Sequence, residues 1–142
     1  MTFEEKSQWA YGFASLVVPA TYFGWLAGKI GDADAVGDIS YVRTLLWAIG
    51  VGVLVNVIGG MFARGAGGRG SDLKDQRDRE IARRGDAVGF VVFSILVVAP
   101  FALALRDAET FWIANAIYVA YVLTAVIGVA VKAILYRKGI KP

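Results

Sequence analysis

Residues 63–86 read ARGAGGRGSDLKDQRDREIARRGD and divide the chain into two apolar halves. This segment holds seven Lys or Arg and five Asp or Glu, and it is the only long polar stretch between the apolar ones. Two apolar stretches precede it and two follow it, at residues 7–28, 41–62, 87–105 and 111–135. The segment is therefore the main guide to how the chain is organised.

Each apolar stretch is long enough to cross a bilayer, since about 18 apolar residues in a helix span a hydrocarbon core about 30 Å thick. The chain is 57% hydrophobic and its mean hydropathy is +0.57. The only charged residues inside the stretches, Arg43 and Lys132, lie close to their ends. The sequence predicts an all-α membrane protein with four transmembrane helices. They would form two hairpins, with a possible internal repeat, in a single domain covering residues 1–142.

The distribution of positive charge predicts the topology. Twelve of the 15 Lys and Arg residues lie in residues 63–86 or near the chain ends, and only Lys29, Arg43 and Arg106 lie on the other side. Because Lys and Arg are retained on the cytoplasmic side of short loops, both termini and residues 63–86 are expected in the cytoplasm, beneath the cell (inner) membrane. Acids are interleaved with these bases, so direct binding of nucleic acid is not expected.

The charged segment itself is expected to be helical. Ser71 or Asp72 can cap a helix that continues into the third span. Asp75–Arg79 and Glu80–Arg84 are i,i+4 pairs with the acid first, which is the favourable order. We interpret this helix as a surface for a protein partner; the alternative is a solvated helix held near lipid headgroups. The predicted partner-binding residues are Asp75, Arg77, Asp78, Glu80, Arg83, Arg84 and Asp86.

Small residues and prolines suggest packing and bending sites. Gly24 and Gly28 form a G-x-x-x-G pattern, and Gly52, Asn56 and Gly60 recur along one helix face, which lets another backbone approach closely. These stripes favour a homo-oligomer or a subunit of a larger membrane complex. Asn56 is either a packing contact or part of a polar path with Ser15, Thr21, Ser94 and Thr124. The prolines Pro19 and Pro100 are expected to bend the first and third helices and are candidate hinges.

Several chemistries have no residues to support them. The chain contains no Cys and no His, which excludes disulfides and thiolate or imidazole metal sites. Proton-coupled transport usually requires an ionisable residue deep within the membrane. No Asp, Glu, His or Arg lies deep within any of the apolar stretches. We therefore expect no enzyme activity, no cofactor and no metal. Two hypotheses remain: a protein that acts through partner contacts, or a small ion channel or carrier with a polar path around Asn56.

The residues Asp75-Gln76-Arg77-Asp78-Arg79-Glu80-Ile81-Ala82-Arg83-Arg84-Gly85-Asp86, between two pairs of apolar stretches, resemble the D-x-R-D-x-x-I loop of a family of small uncharacterised prokaryotic four-helix membrane proteins. The resemblance covers this loop and the order of helices. It implies no activity, but it suggests a small helix-turn-helix regulator as a cytoplasmic partner.

A second stretch, Val55-Asn56-Val57-Ile58-Gly59-Gly60-Met61-Phe62, is similar to the V-N-x-x-G-x-F stretch of small four-helix fluoride channels. Those channels carry a T-T-F-S-T-F break in the third helix, for which Phe90-Val91-Val92-Phe93-Ser94 is a poor match. The strongly biased topology also departs from the inverted-pair arrangement of that family.

Overall fold

The structure is a computed structural model that describes residues 3–65 and 72–138, with the side chains of residues 16–55, 57–58, 76 and 79–137. Within these ranges every regular element is a helix and no strand occurs, which confirms the all-α expectation. A short 3₁₀ turn, Val36–Asp38, separates the first two long helices. The α-helices are α1 (Phe3–Asp32), α2 (Val42–Gly65), α3 (Asp72–Leu96), α4 (Val98–Leu105) and α5 (Thr110–Lys138).

The chain forms two compact units, Met1–Gly68 and Arg69–Pro142. In the first unit α1 packs against α2. In the second, α5 packs against both α3 and α4. Each unit is thus a helical hairpin, as the order of apolar stretches predicts.

The helices of the first unit contain the first two apolar stretches almost completely. Helix α1 has 30 residues and α2 has 24, which correspond to lengths of about 45 and 36 Å at 1.5 Å per residue. Side chains with little exposure recur every three or four residues along each helix, as expected for one packed face. They are Tyr22 and Leu26 on α1, and Leu45 and Ala48 on α2.

The third helix begins at Asp72 and joins the charged segment to the apolar stretch, as predicted. It differs from its predicted extent in one way, because it is interrupted at Val97 before α4 begins. Pro100 explains the interruption, because it has no N–H to donate to the carbonyl of Leu96 and its ring crowds that carbonyl. The next amide, of Phe101, still bonds the carbonyl of Val97 at 3.2 Å. By contrast, α1 continues without a break through Pro19.

The connection between α4 and α5 is a tight helix ending. Asp107 has φ of 51°, in the left-handed region. The amide of Ala108 donates a hydrogen bond of 3.1 Å to the carbonyl of Leu103. The amide of Asp107 donates one of 3.2 Å to the carbonyl of Ala104. This pair of bonds is the Schellman motif, in which a left-handed residue closes the helix and satisfies its last carbonyls. The motif reverses the chain within a few residues, so that α5 returns alongside α4 and α3.

Two helical segments of the described chain are long and apolar enough to cross a membrane. They are Arg79–Leu105, which treats α3 and α4 as one helix, and Thr110–Arg137. A shorter apolar segment covers Val42–Val55 of α2. In each of the two long segments only 11% of the apolar window is buried, whereas the central helix of a soluble protein would be mostly buried. Large apolar side chains such as Phe90 and Leu105 are instead 73% and 71% exposed.

Candidate functional site

One face of α3 packs against α5 and fixes which side chains of α3 point outward. Ile81, Gly85 and Gly89 follow at intervals of four residues and are all buried, with Ile81 fully so. A Cβ atom added to Gly85 would lie 2.5 Å from Cε and 2.6 Å from Cγ of Lys132. One added to Gly89 would lie 3.8 Å from Cγ2 of Thr124. The absence of a side chain at Gly85 is therefore what lets Lys132 of α5 lie so close to α3, whereas the distance at Gly89 is an ordinary van der Waals contact.

Lys132 joins the two helices by an ion pair. Its Nζ donates a hydrogen bond of 2.8 Å to Oδ1 of Asp86, next to Gly85. The two side chains are 35% and 72% exposed, so the pair adds little stability by itself, about 0–1 kcal/mol. The ion pair matters more for charge than for stability, because Lys132 neutralises the carboxylate of Asp86.

The second acid of this region is also paired. Nε of Arg84 donates to Oε1 of Glu80 at 2.8 Å, which confirms the predicted i,i+4 pair. The other predicted pair, Asp75–Arg79, lies outside the described side chains because that of Asp75 is not among them. The described acids of α3 are thus occupied by bases of the chain itself.

The opposite face of α3 carries exposed polar and basic side chains. Gln76, Arg79 and Arg83 are exposed and lie at i, i+3 and i+7. Each arginine is two residues from a member of the buried stripe, about 200° around the helix. Neither arginine forms an ion pair with any side chain that the structure describes. We call Gln76, Arg79 and Arg83 the basic face.

The predicted partner-binding residues therefore do not form one uniform surface. Arg83 lies on the basic face, whereas Glu80 with Arg84 and Asp86 with Lys132 are internal pairs. The side chains of Asp75, Arg77 and Asp78 lie outside the described ones. Arg79 was not predicted to bind a partner. Its exposure follows from the helical spacing once Ile81 is recognised as the buried side.

The glycines that were predicted to mark helix contacts behave differently from those of α3. A Cβ atom at Gly24, Gly28 or Gly52 would meet no heavy atom within 4 Å. No described residue thus packs closely against these three glycines, and their role in contacts between copies stays a prediction. Asn56 and Gly60 lie outside the described side chains. Gly85 and Gly89 were missed, although their spacing from Ile81 was a readable signal.

The hydroxyls of the predicted polar path that the structure describes are each satisfied within their own helix. The hydroxyls of Thr21, Ser94 and Thr124 each donate at 2.8 Å to the carbonyl four residues earlier in their own helix. This local bond is the usual way in which a hydroxyl is satisfied in an apolar helix. Thr21 and Ser94 are also exposed on the outer surface. Ser15 and Asn56 lie outside the described side chains.

A buried amide that the sequence reasoning missed lies on α5. Asn115 is 7% exposed, and its Nδ2 donates to the carbonyl of Phe111 at 2.8 Å. Phe111, Asn115 and Tyr118 are all buried and spaced by four and three residues, which is the period of one helix face. Within the described residues no group of three or more His, Cys, Asp or Glu side chains could hold a metal ion.

Together these features define a helical protein with two candidate membrane-spanning segments and an exposed basic helix face at the start of the first of them. No protein-family model, no curated protein and no solved structure matches the chain.

Proposed function

We propose that the chain is a non-enzymatic integral membrane protein that acts through protein contacts made by the basic face of α3. It serves as a subunit of a larger membrane complex or as the membrane partner of a cytoplasmic regulator. Four spans cross the cell (inner) membrane: α1, α2, α3 together with α4, and α5. Both chain ends and the basic face lie on the cytoplasmic side.

The membrane placement is supported by length, exposure and charge. Helices α1 and α2 have 30 and 24 residues, and each contains an apolar stretch of the length that a bilayer requires. The apolar segments of the second unit leave most of their side chains uncovered, as lipid-facing helices do. The concentration of Lys and Arg in residues 63–86 and at the chain ends orients all four spans.

Along one face of α3 the exposed side chains change from basic to apolar, and this observation carries the proposal. Arg79 and Arg83 are exposed and basic, and Phe90, seven residues after Arg83 and on the same face, is 73% exposed and apolar. Two helical turns separate these residues, about 10 Å along the axis. The basic face therefore stands at the membrane boundary, where a soluble protein can reach it.

The charge of this face indicates the chemistry of the partner. The acids Glu80 and Asp86 are each paired within the chain at 2.8 Å, so the described outward charge is positive. Complementary charge guides association and excludes wrong partners. The partner is accordingly a cytoplasmic protein with an acidic surface. Anionic lipid headgroups are the competing occupant that the experiment must separate from it.

A photo-crosslinking amino acid at Gln76 tests this proposal in cells that contain the natural partners. We expect a discrete crosslinked product with a soluble protein. Changing Arg79→Gln together with Arg83→Gln should lower its yield roughly tenfold, because two exposed charge pairs contribute about 0.7 kcal/mol each. High salt should lower the yield as well, since it screens exposed charges.

The matched control is Glu80→Gln together with Arg84→Gln, which removes an internal pair without changing the net charge. This control should retain the crosslinked protein. Yields that fall equally in both variants, or that persist without Arg79 and Arg83, would contradict docking on the basic face. Products that contain only lipid would assign the face to the membrane surface instead.

A further inference from the structure

An open depression of about 480 Å³ lies on the surface of the first unit, at the start of α2. Its lining combines one cation and one hydroxyl with three apolar side chains: Ser40, Val42, Arg43, Leu46 and Trp47. The polar groups and the apolar groups therefore meet in one place.

The depression faces away from the packed side of α2. Arg43, Leu46 and Trp47 lie at i, i+3 and i+4 and share one face of the helix. Leu45 and Ala48, on the other side, are only 7% and 8% exposed. The lining consequently lies off the face of α2 that packs within the first unit.

Arg43 supplies the charge of this depression. It is exposed and forms no ion pair with the side chains that the structure describes. A guanidinium presents parallel N–H groups that match two oxygens of a phosphate. The hydroxyl of Ser40 can donate a further hydrogen bond. The polar part of the lining thus fits two oxygens of a phosphate group that carries one or two negative charges.

The apolar part of the lining is exposed. Val42, Leu46 and Trp47 are 55%, 62% and 67% exposed. Covering apolar side chains of this kind with hydrocarbon is favourable. Tryptophan in particular is enriched at the boundary between headgroups and acyl chains. A ligand that carries a phosphate directly beside hydrocarbon satisfies both parts of the lining.

We propose that this depression binds an anionic phospholipid. The phosphate of the headgroup lies between Arg43 and Ser40, and the upper acyl chain lies against Leu46 and Trp47. The lining contains a cation and no acid, which favours an anionic over a zwitterionic headgroup. This inference rests on the membrane placement proposed above and is independent of the basic face.

Bromine quenching of Trp47 fluorescence tests the site in the full chain. The other three tryptophans, Trp9, Trp25 and Trp112, are changed to Phe, and the protein is placed in nanodiscs of phosphatidylcholine and phosphatidylglycerol. Bromine is carried on the acyl chains of one lipid at a time. We expect brominated phosphatidylglycerol to quench Trp47 more than brominated phosphatidylcholine at equal mole fraction.

Arg43→Gln should reduce this preference roughly tenfold, as expected when a hydrogen-bonded charge is lost. The control is Arg106→Gln, which removes another exposed cation outside the depression. Native mass spectrometry of the unaltered chain and of its Arg43→Gln variant provides a second measurement that does not depend on the tryptophan changes. The number of bound phosphatidylglycerol molecules should fall in that variant.

The outcomes separate the two proposals. Equal quenching by both lipids overturns the phospholipid site while leaving the membrane placement of α2 intact. Quenching by neither lipid overturns the placement itself. A preference that Arg106→Gln removes equally overturns the site in favour of diffuse attraction. Displacement by soluble glycerol phosphate overturns the lipid assignment, since the site would then hold a free phosphate.

Discussion

At the scale of single residues, Gly85 has the most specific role in the described chain. It is buried on α3, and both Cγ and Cε of Lys132 occupy the space where a side chain would begin. Lysine is flexible at its end, but its Cγ atom is close to its own backbone and cannot swing far. Any side chain at position 85 must therefore displace Lys132 or move α5.

We predict that Gly85→Ala lowers the free energy of unfolding by about 1–3 kcal/mol, the usual effect of overpacking. Alanine is otherwise favoured over glycine in a helix by about 1 kcal/mol, so a loss would be due to the contact. Thermal unfolding in detergent, followed by circular dichroism, measures the change. Adding Lys132→Ala to Gly85→Ala should recover most of the stability.

Gly24→Ala is the matched control. A Cβ atom at Gly24 meets nothing within 4 Å, so this substitution should be neutral or stabilising by up to about 1 kcal/mol. If Gly85→Ala proved as harmless as Gly24→Ala, the close packing of α3 and α5 at this position would be wrong.

At the scale of elements, the ending of α4 depends on an unusual backbone conformation. Asp107 adopts φ of 51° and is the only non-glycine residue with positive φ in the described chain. Residues with a Cβ atom are strained in the left-handed region by about 1–2 kcal/mol, and short polar residues such as Asp tolerate it best. Helix α4 therefore ends at a residue that tolerates positive φ, although glycine would adopt this conformation with less strain.

Asp107→Gly should stabilise the second unit and Asp107→Ala should destabilise it, with a difference of about 1 kcal/mol between the two variants. Unfolding in detergent under identical conditions measures this difference. Asp107→Asn removes the charge but keeps the tolerance for positive φ, so it should resemble the natural chain. Equal stability of the Gly and Ala variants would contradict the Schellman ending of α4.

At the scale of the whole molecule, the proposed four-span topology can be tested directly because the chain has no cysteine. Each introduced cysteine is then the only reactive thiol. We expect a membrane-impermeant maleimide to label Asp34→Cys and Ala108→Cys from outside intact cells. Gln76→Cys and Arg137→Cys should react only after permeabilisation, since residues at the basic ends of the spans face the cytoplasm.

Ile95→Cys is the control for burial in lipid. Ile95 is 67% exposed, so a chain surrounded by water would leave this position reactive. In a bilayer the position is shielded, because the thiolate that reacts requires water. Labelling of Asp34→Cys and Gln76→Cys from the same side would contradict the single crossing by α2 that the proposed topology places between them.

Much of the fold was predictable from the sequence because apolar length and charge are properties of the chain itself. The apolar stretches at residues 41–62 and 111–135 begin within one residue of the starts of α2 and α5. The helix after Ser71 and the Glu80–Arg84 pair follow from local spacing, since both depend on residues within one or two turns.

The site was less predictable because it depends on which faces meet. Asp86 seemed to belong to an outward surface, but α5 brings Lys132 within 2.8 Å of it across 46 residues of sequence. Gly24 and Gly85 look alike in sequence, yet one faces open space and the other faces a side chain. Spacing alone does not distinguish the buried side of a helix that is apolar on all sides.

The sequence by itself determined the helical class, the approximate extents of α2 and α5 and the position of the charged segment, because each depends on residues that are neighbours in the chain. Only the tertiary structure decided that Ile81 is buried, that Gly85 and Gly89 face α5, that Asp86 is paired with Lys132, and that Arg79 and Arg83 remain outward. The physical reason is that packing selects one face of each helix, and the charges left on the other face are those available to a partner.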